Sequence, residues 1–273
     1  MILDDLPSLK ETVNQFGLSA KKSLGQNFLL NMDTVRKVAR MAGHVTDYTV
    51  IEVGPGPGGL TRALLEAGAK RVISIEHDPR CIEALQPLVD KADGRFQVIH
   101  ADALAVRPQD LCPGEPLKIV ANLPYNVGTQ LLVNWLHDLE NIQSMTLMFQ
   151  KEVALRIVAK PRTADYGRLT ILSQYLAQTQ KMFDLPPGAF SPPPKVTSSI
   201  VNLIPKPDVD LSILPALEKI THAAFGQRRK MIRSSMSSLF SVDDLTLLGI
   251  KETARAEELT LDQFVRLATA LHP

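Results

Sequence analysis

From Thr49 to Gln150 the chain alternates short β-branched runs with longer amphipathic stretches, and few architectures accept that alternation. A strand that returns only after a helix-length segment comes back parallel to its predecessor, so the pattern implies a parallel sheet covered by helices. Four runs mark strands: Thr49–Val53, Arg71–Glu76, Phe96–His100 and residues 117–121. A fifth, residues 145–150, follows a stretch in which Leu131, Leu132, Trp135 and Leu136 recur at helix spacing, which suits burial of one helix face on the sheet. The expected fold class is therefore α/β, with a doubly wound, mostly parallel sheet.

Residues 186–196 read PPGAFSPPPKV, and five prolines there forbid a helix or a central strand. After one more β-like run at 198–204, apolar residues recur every three to four positions over 214–225, 228–239 and 261–271. Two domains are expected, residues 1–205 around the sheet and a small helical domain over 206–273. Composition excludes several classes. With 45% apolar and 22% charged residues the chain is neither disordered nor fibrous. Cys81 and Cys112 stand apart from each other and from any His-rich cluster, which argues against a disulfide framework or a metal site and fits a reducing cytoplasm. The first 30 residues lack the apolar core of a secretory signal, no apolar run is long enough to span a membrane, and cytoplasmic residence without membrane contact is expected. A net charge of +1 is low for a nucleic-acid binder, so any such role rests on local clustering.

The first strand runs directly into Gly54-Pro55-Gly56-Pro57-Gly58-Gly59. A glycine-rich turn at the carboxyl end of a strand lets a ligand approach the backbone closely. Glu76 ends the second strand 22 positions after Gly54, where a carboxylate can accept from both hydroxyls of a ribose, so the pair describes a nucleoside pocket. Gly54, Gly56 and Gly59 also satisfy the spacing of nicotinamide-nucleotide loops; the acidic Glu52 ahead of the turn and the prolines within it weigh against that choice, because a pyrophosphate cradle needs free backbone N–H groups. Asp102, just past the third strand, has two readings: an acceptor for the amino group of a bound adenine, or a helix N-cap.

After the fourth strand stands Asn122-Leu123-Pro124-Tyr125. An exocyclic adenine amine is a poor nucleophile because its lone pair is delocalised into the ring, and acceptors around its N–H bonds favour the pyramidal form that attacks a methyl group. The Asn122 side-chain carbonyl and the Leu123 backbone carbonyl are candidate acceptors, Pro124 stiffens the turn, and Tyr125 offers a flat face for a base. Such stacking is worth about 1–3 kcal/mol per base, enough to offset much of the few kcal/mol needed to extrude one.

Taken together, the motifs resemble the ribosomal RNA adenine N6,N6-dimethyltransferases, and in particular the bacterial small-subunit (16S) branch, over nearly the whole chain. The resemblance is carried by Lys21-Lys22-Ser23-Leu24-Gly25-Gln26-Asn27-Phe28-Leu29, the glycine turn, Asp102, Asn122 to Tyr125, the proline-rich stretch, and Phe225-Gly226-Gln227-Arg228-Arg229-Lys230. It implies a Rossmann-like class I methyltransferase fold and S-adenosylmethionine as methyl donor. It also implies Asn27 and Leu29 at the cofactor beside Gly54, Glu76, Asp102 and Asn122. The implied substrate is a pair of adjacent adenosines in a hairpin loop near the 3′ end of small-subunit ribosomal RNA, met by a monomeric enzyme on an assembling pre-30S particle; unpaired loop bases are those a protein can splay out and stack. On the same grounds Phe190 covers the second face of the adenine, unless it is a core residue, and Lys195, Arg228, Arg229 and Lys230 contact RNA. The last three belong to a basic run, with Arg233, that no acidic residue interrupts between Glu218 and Asp243. Thr197 stands where the family more often has Asp. The large-subunit, antibiotic-resistance branch shares the pocket motifs, and a non-catalytic RNA-binding assembly factor would share the fold.

Overall fold

In the computed structural model, which describes residues 5–18 and 26–272, the chain runs α1 (Leu9–Gln15), β1 (Phe28–Leu29), α2 (Met32–Met41), β2 (Thr49–Val53), α3 (Gly59–Glu66), β3 (Arg71–Glu76), α4 (Pro79–Lys91), β4 (Phe96–His100), β5 (Leu117–Asn122), α5 (Gly128–Leu136), β6 (Ile142–Gln150), α6 (Lys151–Ile157), α7 (Arg168–Leu176), β7 (Ala177–Leu185), β8 (Phe190–Ser191), β9 (Ser198–Pro205), α8 (Leu214–Gly226), α9 (Ile232–Ser235), α10 (Val242–Leu247) and α11 (Leu261–Leu271). The segment Lys21 to Gly25 of the N-terminal motif lies outside the described residues. Several helices start where the sequence supplies a cap. Ser8 and Glu11 form a capping box on α1, Asn31 caps α2, Asp78 caps α4, and Thr260 with Gln263 caps α11.

The chain divides into two compact units. The first, residues 1–154 and 180–205, holds a seven-stranded sheet in the order β4-β3-β2-β5-β6-β9-β7. Strands β4, β3, β2, β5 and β6 are mutually parallel, as the alternation requires, and β9 joins β6 antiparallel. Side chains alternate across the pleat. Val50, Val72 and Val120 therefore bury against Val35 and Val38 of α2, Leu60 and Leu64 of α3, and Leu85 and Leu88 of α4. Ile51, Ile73 and Ile119 point the other way and are equally buried, the signature of a sheet covered on both faces. This is the doubly wound, mostly parallel sheet expected from the strand–helix alternation.

The sequence pattern misses β7, whose AQTQKMFDL is mostly polar; it closes one edge of the sheet, where all but its first and last residues are exposed or only partly buried and polarity costs little. It also misses the two-residue pair in which Phe28 faces Ser191 and Leu29 faces Phe190. Strand β5 reaches one residue further than its apolar run, to Asn122, because the ladder to β6 continues as Asn122↔Met148.

The second unit, residues 155–179 and 206–273, takes its regular structure from helices apart from the first three residues of β7. Its members from before residue 206 were expected in the first domain. They group here because α7 buries Ile171, Tyr175 and Leu176, and Tyr166 meets Phe225 at 6.1 Å in an edge contact while Phe225 stacks on Phe264 at 5.6 Å. The continuous helix expected over 228–239 is corrected: α8 ends at Gly226, residues 227–230 turn, and only Ile232–Ser235 is helical. The backbone of this stretch is drawn away from helical pairing. Met231 bridges Arg255, and Ile232 N–H donates to Ala254 O at 2.7 Å.

Candidate active site

Strands β2, β3 and β5 end side by side at their carboxyl edges, and a cavity of about 230 Å³ opens over those ends in the first unit. The crevice outside the strand ends is where an open α/β sheet holds its ligands. Its walls include Asn27 and Phe28 from the N-terminal segment, Gly54 and Gly56 from the glycine turn, Glu76, Asp102 to Leu104, and Asn122 to Tyr125.

The glycine turn is shaped by its neighbours. Gly56 has φ +54°, and a Cβ there would lie 2.8 Å from the Phe28 ring, so both the backbone and the space demand glycine. At Gly54, with φ +69°, the nearest atoms to a Cβ are those of Pro124 at 3.8 Å, across the cavity floor. Glu52 is no wall of the cavity. Its carboxylate lies beneath the turn, 1% exposed, where Thr61 Oγ1 donates at 2.6 Å and Ser74 Oγ at 2.8 Å, tying β2 to α3 and β3. Burial outweighs those two donors and raises its pKa to about 7.

Glu76 is also buried but faces the cavity. Its Oε1 receives the N–H groups of His77 and Asp78, both at 2.8 Å, while Oε2 has one long bond, 3.4 Å, from Gly56 N–H. Burial holds its pKa above the ordinary carboxylate value against the pull of these donors. A carboxylate offers about four lone-pair sites, so acceptor capacity remains for hydroxyls in the cavity. Asp102 lines the cavity and also caps a short 3₁₀ turn, its Oδ1 accepting from Leu104 N–H at 2.9 Å; the capping geometry is present, and it leaves the second oxygen for a ligand.

Asn122 ends β5 with its amide Nδ2 donating to Asn27 O at 3.1 Å. A backbone carbonyl can only accept, so this contact fixes the amide's orientation and leaves Oδ1 as an acceptor. Next in the turn, Leu123 has its side chain buried, and the Pro124 carbonyl receives the N–H groups of Val127 and Gly128. Tyr125 lies half-buried on the wall, its hydroxyl 2.5 Å from Ser198 Oγ.

Two residues expected at the pocket lie elsewhere. Leu29 is 6% exposed in the core under α2 and α3, and Phe28 takes the cavity position; neighbours in a strand point to opposite sides. Phe190 is 5% exposed in that same core, paired by its backbone to Leu29, and forms no part of the cavity wall. Arg228 is exposed and also engaged within the second unit: its guanidinium bonds Glu257 at 2.8 Å and the carbonyls of Ala164 and Thr163 at 2.7 and 3.4 Å. Arg229 and Lys230 are exposed in the same unit, and Lys195 is exposed on the proline-rich stretch of the first. Sequence reasoning missed Phe28, His77 and Leu104 as cavity walls, since single apolar or aromatic residues beside a motif carry no periodic signal. Among the described residues no group of His, Cys, Asp or Glu is arranged to hold a metal, and no helix is long and apolar enough to cross a membrane.

A doubly wound sheet with a glycine cradle, a buried carboxylate 20 residues from Gly56, and an asparagine-led turn two strands' width away defines a class I methyltransferase that uses S-adenosylmethionine. The residues fit that group: Glu76 retains acceptor capacity suited to ribose hydroxyls, Asp102 lines the cavity with one oxygen left to accept, and the Gly54 turn leaves the room that a Cβ would take. The chain belongs to the ribosomal RNA adenine dimethylase family, whose model, described as "Ribosomal RNA adenine dimethylase", matches residues 17–272. It is 53% identical to the ribosomal RNA small subunit methyltransferase A of Xanthobacter autotrophicus, over 97% of this chain and 94% of that one. The protein of the same name from Agrobacterium fabrum is 52% identical, over 98% and 99%. Among solved structures, a dimethyladenosine transferase from Plasmodium falciparum is similar at a TM-score of 0.75 with 26% identity, covering 86% of this chain and 94% of that one. The 23S rRNA methyltransferase ErmE is similar at 0.72 with 28% identity, covering 90% and 100%.

Proposed function

We propose that this chain dimethylates the N6 amino groups of two adjacent adenosines in a hairpin loop near the 3′ end of small-subunit ribosomal RNA, acting as a cytoplasmic monomer on a pre-30S particle. The observation that carries the reading is the Asn122 amide, held by Asn27 O so that its oxygen is left to accept beside a cavity bordered by Gly54 and Glu76. S-adenosylmethionine supplies an electrophilic methyl group when bound. Asn27, Gly54, Glu76 and Asp102 hold and orient it. Asn122 Oδ1 and the Leu123 carbonyl accept from the adenine N–H bonds, which turns the nitrogen lone pair out of the ring plane and along the line of attack. Tyr125 stacks the extruded base and Pro124 keeps the acceptors in place. The proton is lost to water, since an ammonium formed on the amine is strongly acidic, and no tuned general base is called on.

Identity to the small-subunit relatives is about twice that to the 23S rRNA enzyme, which favours the small-subunit substrate. Exposed Arg229, Lys230 and Lys195 are the proposed phosphate contacts. The test is tritium transfer from labelled S-adenosylmethionine to purified small and large subunits from an unmethylated strain, followed by mass spectrometry of the nucleosides. Label recovered as dimethyladenosine in small-subunit RNA is expected. Label confined to large-subunit RNA, or none in either, sinks the assignment.

A further inference from the structure

We propose that Ser198, at the start of β9, is a positioning residue for methyl transfer: its hydroxyl tethers the far end of the Tyr125 ring and so sets the face against which the target adenine stacks. The inference rests on the role given above to Tyr125 and extends it to a residue outside the motif. Tyr125 Oη and Ser198 Oγ are 2.5 Å apart and 73 positions apart in sequence. A tyrosine ring on a turn swings about χ1 unless something holds it, and a hydrogen bond at its para oxygen stops that swing.

The tether is itself rigid. Ser198 is fully buried, and its backbone sits opposite Gln150 in the ladder that continues as Ile200↔Met148, with Met148 in turn opposite Asn122. The row that holds the acceptor residue, Asn122–Met148–Ile200, thus lies two residues along β9 from the tether. The strand's entry is fastened again on either side of Ser198: Thr197 O accepts Lys151 N–H at 2.9 Å, and Ser199 Oγ donates to Asp184, which also binds Lys151 Nζ at 2.8 Å. Because β9 is antiparallel to β6, the chain enters the sheet at the cavity end, directly from the proline-rich stretch. That stretch, read from the sequence only as a stiff loop, delivers Ser198 to Tyr125. A ring ordered in advance spares the substrate the entropy of ordering it, and the benefit appears in turnover rather than in cofactor affinity.

The experiment compares Ser198→Ala, Tyr125→Phe, the double variant and Tyr125→Ala, measuring kcat and KM on unmethylated small subunits and the Kd for S-adenosylmethionine. One hydrogen bond predicts about a five- to tenfold loss in kcat for each of the first two, with cofactor Kd unchanged, and a double variant no slower than either single. Losses that multiply in the double variant, or wild-type kcat in the singles while Tyr125→Ala collapses, overturn the tether and leave the stacking role standing. Wild-type turnover in Tyr125→Ala overturns both. Should Ser198→Ala fold poorly, Tyr125→Phe decides alone, since it removes the hydroxyl from a half-exposed ring; an unchanged kcat there overturns the proposal.

Discussion

The two halves of the cavity are built by opposite means. On the cofactor side the contacts are short in sequence: Gly56 to Glu76 spans 20 residues, Glu52 to Thr61 nine, and Glu76 to Asp78 two. On the acceptor side each polar group is pinned from far away, Asn122 by Asn27 across 95 residues and Tyr125 by Ser198 across 73. Those contacts of the first half lie within the continuous β2–α3–β3 segment and the start of α4, so this part of the pocket is shaped by residues close in sequence. The second exists only when the whole sheet and the N-terminal segment are in place, which couples chemistry to complete folding.

The sharpest way to break this contrast is Asn122→Ala. If the acceptor half serves the transition state and the other half serves binding, turnover falls by about 10²–10³-fold while the Kd for S-adenosylmethionine stays within about tenfold. Single-turnover kinetics with equilibrium dialysis measures both, and equal losses in the two would erase the division. Next in size is a pH effect confined to the cofactor half. Glu52 has its pKa raised from 4.5 to about 7 by burial, so the folded state binds a proton that the unfolded state has already released. Its stabilising contribution is therefore whole below about pH 4.5 and is lost as pH climbs through about 7, a change of about 3 kcal/mol. Urea unfolding of wild type and Glu52→Gln between pH 5 and 8 is expected to show a wild type that weakens relative to the variant as pH rises; parallel curves would place the carboxylate's titration elsewhere. A smaller effect follows at the cavity wall. Glu76→Gln leaves one acceptor oxygen where two served, and weakens cofactor affinity by about ten- to thirtyfold with kcat at saturating cofactor little changed. A kcat loss as large as that of Asn122→Ala would mean that the halves are not separable.

The same contrast explains what could be read from the chain. The glycine turn, Glu76 and the alternation of strands with helices were legible because each is encoded by residues close in sequence. The acceptor turn was legible as a motif, but its supports were not, since nothing in Asn122 to Tyr125 names Asn27 O or Ser198 Oγ as partners. Phe28 and Leu29 were exchanged for a related reason: adjacent strand residues face opposite ways, and which one faces the cavity depends on the pairing with Ser191 and Phe190. Polar β7 escaped notice because an edge strand need not alternate cleanly. The helix expected through Arg228 failed where backbone bonds to residues 254 and 255 outcompeted helical pairing, information that lies more than twenty residues downstream.

Arg228 and Arg229 carry the comparison into the second unit and give its finest test. Neighbours in sequence, identical in charge and both exposed, they differ in their partners: Arg228 joins Glu257 to the carbonyls of Thr163 and Ala164, whereas Arg229 lies in the turn after α8. An exposed ion pair alone contributes little, but a guanidinium that also satisfies two carbonyls fastens three segments of the unit. Arg228→Ala is accordingly expected to lower Tm by a few degrees, and to weaken RNA binding only as far as the unit loosens. Arg229→Ala is expected to leave Tm unchanged and to reduce the slope of log K against log salt by about 0.7–1, the share of one lost phosphate contact. Filter binding across a salt series beside thermal unfolding separates the two. If both variants shift the salt slope equally and neither shifts Tm, then the Arg228 contacts do not hold in solution and the basic run acts as a single undivided patch.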